Sequence, residues 1–375
     1  MAAPPAGQNK MSARSFRHMS ARSLSSAATP LRIAVYPGDG IGIEVTAAAF
    51  RLLEAMPSVA VAPTWFPWGC DYADGEGEGK CAPEDMIEQL SGFDAVFLGA
   101  VGMPERMPDG VTLEPLIRMR QAFDQYACVR PARTYAGVPM PLAADPTIDM
   151  VVVRENSEGE YSHNGGFFAK GKPNEIAVQT AVHTRSGVER VLRHGFELAS
   201  TAERRQKLTM ITKSNAQRYG MVLWDEILEE LAPLYPHVQV DKQHIDAASM
   251  NFVLRPESFD VVVASNLFGD ILTDLSGAIT GSLGLNPSAN LCPSREFPSL
   301  FEPVHGSAPD IFGKRIANPT GAFLSAAMML EWLHQPVEAA AIRKACEAVL
   351  ARGATPDAGG SMTTEQVTDA VIAEL

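Results

Sequence analysis

The sequence predicts an α/β fold with a mostly parallel sheet. Short apolar runs alternate with helical patterns along most of the chain. Several of those runs end abruptly in Arg, Lys or Asn, as strands do when they deliver side chains to a shared edge. The C-terminal third, from Pro319, reads as helix. With 375 residues there is room for one large or two medium domains and a sizeable core.

Taken in order, Leu31–Tyr36 is an apolar strand, followed by Pro37-Gly-Asp-Gly-Ile-Gly42 and an Ala/Leu-rich helix from about Ile43 to Ala55. Asp94–Gly99 is a second strand and Leu113–Phe123 a helix, which Pro131 after Arg130 is expected to close off. Ile148–Val153, Leu208–Thr212, Val238–Asp241 and Asp260–Ala264 are further strands, separated by helices such as Met221–Leu231 and Ala247–Leu254. Ser162–Gly166 and the polar stretch to Glu175 break the alternation and read as an arm or hairpin. No long-period repeat is present.

Composition narrows the function. A net charge of −13 disfavours nucleic acid, whose binders present basic surfaces. Any anionic substrate must therefore be drawn in by a local basic cluster. No run approaches the roughly 18 apolar residues that a membrane span needs. Cys70, Cys81, Cys128, Cys292 and Cys346 are odd in number and scattered, which points to reduced thiols in a cytoplasmic setting. Residues 1–30 lack Asp and Glu and repeat Met-Ser-Ala-Arg. They read as a disordered extension with alternative starts, or as an organellar transit peptide that would place the protein in a matrix.

Gly38, Gly40 and Gly42 follow a strand and open a helix, but their spacing is G-x-G-x-G. A dinucleotide fingerprint needs G-x-G-x-x-G, so a tight structural turn is expected and not a Rossmann fold. Asp270 and Asp274 lie four apart, directly after a strand, so on a helix they share one face. Paired carboxylates there suit Mg²⁺ or Mn²⁺, and Asp246 offers a third; otherwise they are a solvated helix face. Arg120, Arg130 and Arg154 would bind carboxylates bidentately if they converge, or form ordinary ion pairs if they do not. Arg118, two residues from Arg120, should point away. Tyr161 and Lys213 are candidate proton-transfer groups. The segment Glu302-Pro-Val-His305-Gly306-Ser-Ala308-Pro-Asp310-Ile311, followed by Asn318, is a defined loop whose backbone can approach a nucleotide. Asp310 would bind ribose hydroxyls and repel a 2′-phosphate, favouring NAD over NADP.

These segments together resemble the metal-dependent decarboxylating dehydrogenases that include isocitrate and 3-isopropylmalate dehydrogenases, and within them the tartrate/D-malate dehydrogenase branch. The resemblance runs from about Arg32 to Leu333. It rests on Tyr36–Gly42, Trp68-Gly-Cys-Asp-Tyr72, Phe123-Asp-Gln-Tyr126 with Arg130-Pro131, Arg154-Glu-Asn-Ser-Glu-Gly-Glu-Tyr161, Lys213-Ser-Asn215, Asp241-Lys-Gln-His-Ile-Asp246, Asn266-Leu-Phe-Gly-Asp270 and Phe297–Asp310.

It implies a non-Rossmann two-domain fold: residues 31–125 with 281–375 as a large cofactor-binding domain, and 126–280 as a smaller domain with a dimer arm. It implies NAD and Mg²⁺ or Mn²⁺, with K⁺ as an admissible further ion. Arg120, Arg130 and Arg154 would hold substrate carboxylates, and Asp246, Asp270 and Asp274 the metal. Lys213 would be the base and Tyr161 the acid. Asn215 would sit near the nicotinamide, with His305, Gly306, Ala308, Asp310, Ile311 and Asn318 about the rest of the nucleotide. A homodimer would exchange Lys213 and Asp246 between sites.

The stretch Leu113-Glu-Pro-Leu-Ile117 departs from both the isocitrate and the tartrate/D-malate patterns, and Glu114 is expected to repel a third carboxylate. The expected activity is oxidation and decarboxylation of a small 2-hydroxy diacid, D-malate to pyruvate and CO₂ or tartrate oxidation. The alternatives are a 3-isopropylmalate dehydrogenase with an apolar pocket from Leu113, Leu116 and Ile117, and a silent nucleotide-binding regulatory subunit.

Overall fold

The computed structural model describes residues 29–162 and 164–375, so the extension read over residues 1–30 lies outside the described residues but for Thr29 and Pro30. Its strands are β1 (Leu31–Gly38), β2 (Val61–Trp65), β3 (Ala95–Ala100), β4 (Ala127–Arg133), β5 (Asp149–Glu155), β6 (Gly165–Phe168), β7 (Ile176–Gln179), β8 (Lys207–Thr212), β9 (Gln239–His244), β10 (Val261–Ala264), β11 (Pro287–Leu291) and β12 (Ser299–Pro303). Ten of them form one sheet in the order β2-β1-β3-β12-β11-β4-β5-β10-β8-β9, and β6 and β7 form a separate hairpin. The hairpin is the arm expected after Ser162. Pairing in the large sheet is parallel except around β11 and β4, whose ladders to β12, to β5 and to each other are antiparallel.

The sequence alternation builds two faces on the first half of this sheet. Ile33 and Val35 of β1 and Phe97 of β3 face helices Ile41–Glu54 and Thr320–Trp332. Ala34, Tyr36, Val96 and Leu98 face the opposite way, onto Trp68, Met86, Leu90, Met119 and Phe123. In the second half, β5, β8 and β10 are sandwiched by helices Arg185–Ala199, Gly220–Leu231 and Asn266–Ile279, around Val152, Val263, Phe196 and Trp224. No described helix is long and apolar enough to cross a membrane. All five cysteines are buried and free.

The structure corrects one local expectation. Helix Glu114–Ala122 ends well before Pro131, and Arg130-Pro131 lies inside β4. Pro131 is tolerated there because the β11 ladder reaches only as far as Val129.

Candidate active site

A cleft with a cavity of about 180 Å³ opens at the ends of β3, β5 and β12. That volume suits a small diacid and falls below the roughly 300 Å³ where pockets for larger ligands begin. Arg120 enters from the last turn of helix Glu114–Ala122, Arg130 from β4 and Arg154 from β5. They are only 7%, 7% and 2% exposed, so each charge needs a built partner.

Arg130 Nη1 donates to Thr273 Oγ1 at 2.8 Å and its Nε to Ser288 Oγ at 3.3 Å. Arg154 donates to Asn266 Oδ1 from Nε and Nη2, at 3.0 and 2.6 Å, and from Nη1 to Asp270 Oδ1. Helix Asn266–Ile279 can lie this close because residue 269 is glycine. A Cβ there would stand 2.7 Å from the Arg154 side chain. Arg120 Nε is buried without a hydrogen-bond partner, a donor left for an incoming anion.

Tyr161 completes the wall. Its hydroxyl donates to Asp270 Oδ2 at 2.9 Å, and the Arg154 guanidinium lies 5.4 Å from its ring centroid. Burial, and then the Asp270 charge, hold its phenol above the usual range, so it stays protonated near neutrality. Burial alone would raise the Asp270 carboxyl, but Arg154, Arg130 and the Tyr161 hydroxyl outweigh it and hold it low.

Glu302 is the cleft residue that sequence reasoning passed over. It sat inside a quoted motif without a role. Its carboxylate is 7% exposed and accepts from Arg120 Nη2 at 3.2 Å and Asn290 Nδ2 at 2.7 Å. A buried acid 182 residues along the chain from its arginine leaves no spacing signal. Three guanidiniums against Asp270 and Glu302 leave the cleft at 3 − 2 = +1, in a chain of net charge −13.

Two expectations about selectivity change. Leu113 and Leu116 line the cleft with Leu98 and Val101, but Ile117 does not. Glu114 is not beside the arginines either. It pairs with Arg118 at 3.4 Å and lines a different hollow, so it cannot repel a substrate carboxylate. Arg118 does point away, donating to Pro83 O at 3.0 Å.

Asp274 follows Asp270 by one turn of helix Asn266–Ile279 and is exposed. Burial of its carboxyl, and then the Asp270 charge, push it above the usual range, with Arg130 and Arg154 offsetting only part. Two oxygen-donor acids repelling each other fit a hard divalent cation. Within one chain the third carboxylate is elsewhere. Asp246, at the start of helix Ile245–Leu254, accepts from Lys213 Nζ at 2.6 Å, and no group of three or more His, Cys, Asp or Glu converges among the described residues. Lys213 and the exposed Asn215, just past β8, are likewise outside the cleft's lining.

The glycine turn proves to be a seat for the loop after β12. Gly40 (φ +53°) lets Ile41 N donate to Ser307 O at 2.8 Å; a Cβ at position 40 would stand 2.1 Å from that oxygen. Asp39 accepts from Cys70 N and Gly102 N at 2.7 and 2.8 Å, and Ser307 Oγ donates to Gly102 O. His305 and Gly306 therefore reach the cleft rim. Burial holds the His305 imidazole below its usual range, and its Nε2 has no partner. Ala308 has a positive φ of 39°, Ile311 is half-buried, and Asp310 is exposed. Asn318 is buried, its Oδ1 capping Thr320 N at 3.0 Å and its Nδ2 donating to Asp357. An unpartnered imidazole nitrogen, a strained loop and an exposed acid along one rim fit a nucleotide.

Residues 32–371 match the isocitrate/isopropylmalate dehydrogenase family. D-malate dehydrogenase [decarboxylating] of Escherichia coli (strain K12) is 50% identical over 354 residues, covering 91% of this chain and 97% of that protein. Tartrate dehydrogenase/decarboxylase of Pseudomonas putida is also 50% identical over 354 residues, covering 91% and 96%. The crystal structure of isocitrate dehydrogenase from Methylococcus capsulatus superposes with a TM-score of 0.84 at 35% identity, covering 92% of this chain and 99% of that one. The chain belongs to the isocitrate/isopropylmalate dehydrogenase family.

Proposed function

We propose that the protein is an NAD-dependent, metal-dependent dehydrogenase that oxidises and decarboxylates a small 2-hydroxy diacid, D-malate first and tartrate second. The observation that carries this reading is the convergence of three buried guanidiniums on the Tyr161–Asp270 pair in one small cleft. Relatives at 50% identity bearing the names of D-malate and tartrate enzymes support it.

In this reading Arg120, Arg130 and Arg154 grip the two carboxylates and turn the single C2 hydrogen toward the cofactor. Lys213 takes the C2 hydroxyl proton, through a water. Tyr161, kept protonated by burial, gives a proton to C3 after CO₂ leaves. Its Asp270 partner fixes the direction of that hydroxyl. Asp270 and Asp274, with Asp246, would hold a divalent ion, which would supply positive charge where oxygen charge develops. His305, Gly306, Ala308, Asp310, Ile311 and Asn318 would hold NAD, with Asn215 by its nicotinamide, and the bound cofactor would supply the hydride acceptor.

Lys213 and Asp246 would have to reach that position from a second copy, which makes a homodimer part of the proposal. Exposed Met250, Val253 and Leu254 on the helix that begins at Asp246, and Phe167, Phe168, Ile176 and Val178 on the β6–β7 arm, are apolar surface such an interface would cover. The division into 31–125 with 281–375 and 126–280 belongs to the same proposal, and the separate apolar clusters on the two halves of the sheet support it.

A second reading, 3-isopropylmalate oxidation, is favoured by the Leu98–Val101–Leu113–Leu116 wall. Initial rates with D-malate, tartrate and 3-isopropylmalate, scored for both NADH and CO₂, separate the two. We expect the first two diacids to lead. A higher kcat/KM for the branched diacid would install the second reading, and no NADH from any diacid with Mn²⁺ would remove both. Replacing Asp310 with Lys should raise the NADP/NAD ratio of kcat/KM by about tenfold, roughly the 1.4 kcal/mol of one favourable charge contact. An unmoved ratio would take the ribose away from Asp310.

A further inference from the structure

Lys213 stands on a loop whose two neighbours are held by one carboxylate. Asp225, on helix Gly220–Leu231, accepts from Thr212 Oγ1 through Oδ1 and from Ser214 Oγ through Oδ2, both at 2.8 Å. These are the residues immediately before and after Lys213. A third donor, Lys242 Nζ on β9, reaches Oδ2 at 2.9 Å. The Lys213 carbonyl accepts in turn from Ala216 N and Gln217 N, at 2.9 and 2.8 Å, so the main chain is tied behind the residue as well.

This is more restraint than a loop end of two or three residues needs for stability. Thr212 is already locked by its strand and is 1% exposed. Ser214 is not in a strand and has no other side-chain partner among the described residues, so Asp225 alone sets its side chain. Lys213 by contrast keeps its own ammonium for Asp246. Asp225 therefore grips both sides of the lysine without touching it, and leaves the amine to Asp246.

We propose that Asp225 is a positioning residue for Lys213: it fixes the backbone on both flanks so that the amine is presented in one direction. This rests on the reading of Lys213 as the proton acceptor. A lysine side chain has four rotatable bonds, so a loop that wanders by 1 Å at its base spreads the amine over a wider arc. Misplacement on that scale costs about 10²-fold in rate.

The test is a double-mutant cycle in the full-length protein with D-malate, NAD and Mn²⁺. Asp225→Asn should lower kcat by about 10–100-fold, with the KM values for D-malate and NAD within about threefold of the parent. A Thr212→Val/Ser214→Ala variant, which keeps the Asp225–Lys242 pair, should show the same split and guards against a general effect of losing the half-buried charge. In a Lys213→Met background, Asp225→Asn should cost less than about threefold, because the group it acts through is already gone. Equal fractional losses in both backgrounds, or a loss confined to KM, would overturn the assignment and leave Asp225 as a structural tie. A Lys213→Met enzyme of near-normal turnover would instead remove the base reading, and the Asp225 role with it.

Discussion

Replacing Lys213 by Met should lower kcat by about 10²–10⁴-fold, the range that a positioned general base contributes. The fold should survive. The Lys213 side chain is a quarter exposed and its partner Asp246 is 69% exposed, so the lost pair is a surface one, of the kind that contributes little to stability. Met keeps most of the apolar stem. Diacid binding should also persist, because the three guanidiniums are untouched, so KM changes little and the loss sits in kcat. Steady-state rates alongside a thermal melt check this. Near-normal turnover would require another base, and Tyr161 is a poor substitute while burial and Asp270 hold its proton on.

The second large effect is at Asp270. Changing it to Asn should raise the Mn²⁺ concentration for half-maximal activity at least tenfold and lower kcat as well. The residue has three tasks: ion pairing with Arg154, accepting from Tyr161, and facing Asp274. An amide keeps one acceptor for Arg154 but removes the charge that offsets two buried guanidiniums. Destabilisation of roughly 1–3 kcal/mol is therefore expected too, toward the lower end because the Asp270 side chain is 38% exposed. Asp274→Asn separates the effects. It should weaken the metal without the stability loss, since Asp274 is exposed. A metal requirement unchanged in both variants would dissolve the carboxylate site.

How much of this was readable in the chain depends on what each strand buries. β1, β3, β5, β8 and β10 are apolar on both faces and announce themselves. β11 was not anticipated, although all five of its residues are buried, because it carries Ser288 and Asn290 into the interior. Those polar residues are there for the cleft: Ser288 serves Arg130, and Asn290 serves Glu302 and Asn156. β4 was hidden for the same reason by Arg130 and by a proline. Of the strands that a hydrophobicity reading misses, β4, β11 and β12 build the site, whereas the edge strand β2 does not. Individual motifs were legible because each is local. Which of them meet was not, since Arg120 and Glu302 are brought together by the strand order alone. The helix spacing of Asp270 and Asp274 could be read from the residues; that Lys213 and Asp246 stand apart from them came only with the resemblance, and the ion pair between those two with neither.

The position of β12 between β3 and β11 carries a consequence for biosynthesis. β3 is wholly buried, yet one of its edges has no neighbour until Ser299–Pro303 has been made. At ribosomal speeds of roughly 5–20 residues per second, the intervening ~200 residues take on the order of 10–40 s. Through that interval the nascent chain exposes an apolar, unpaired strand, the kind of edge that recruits other chains. Pairing with β12 therefore closes this part of the sheet late, after an interval in which β3 offers an open edge.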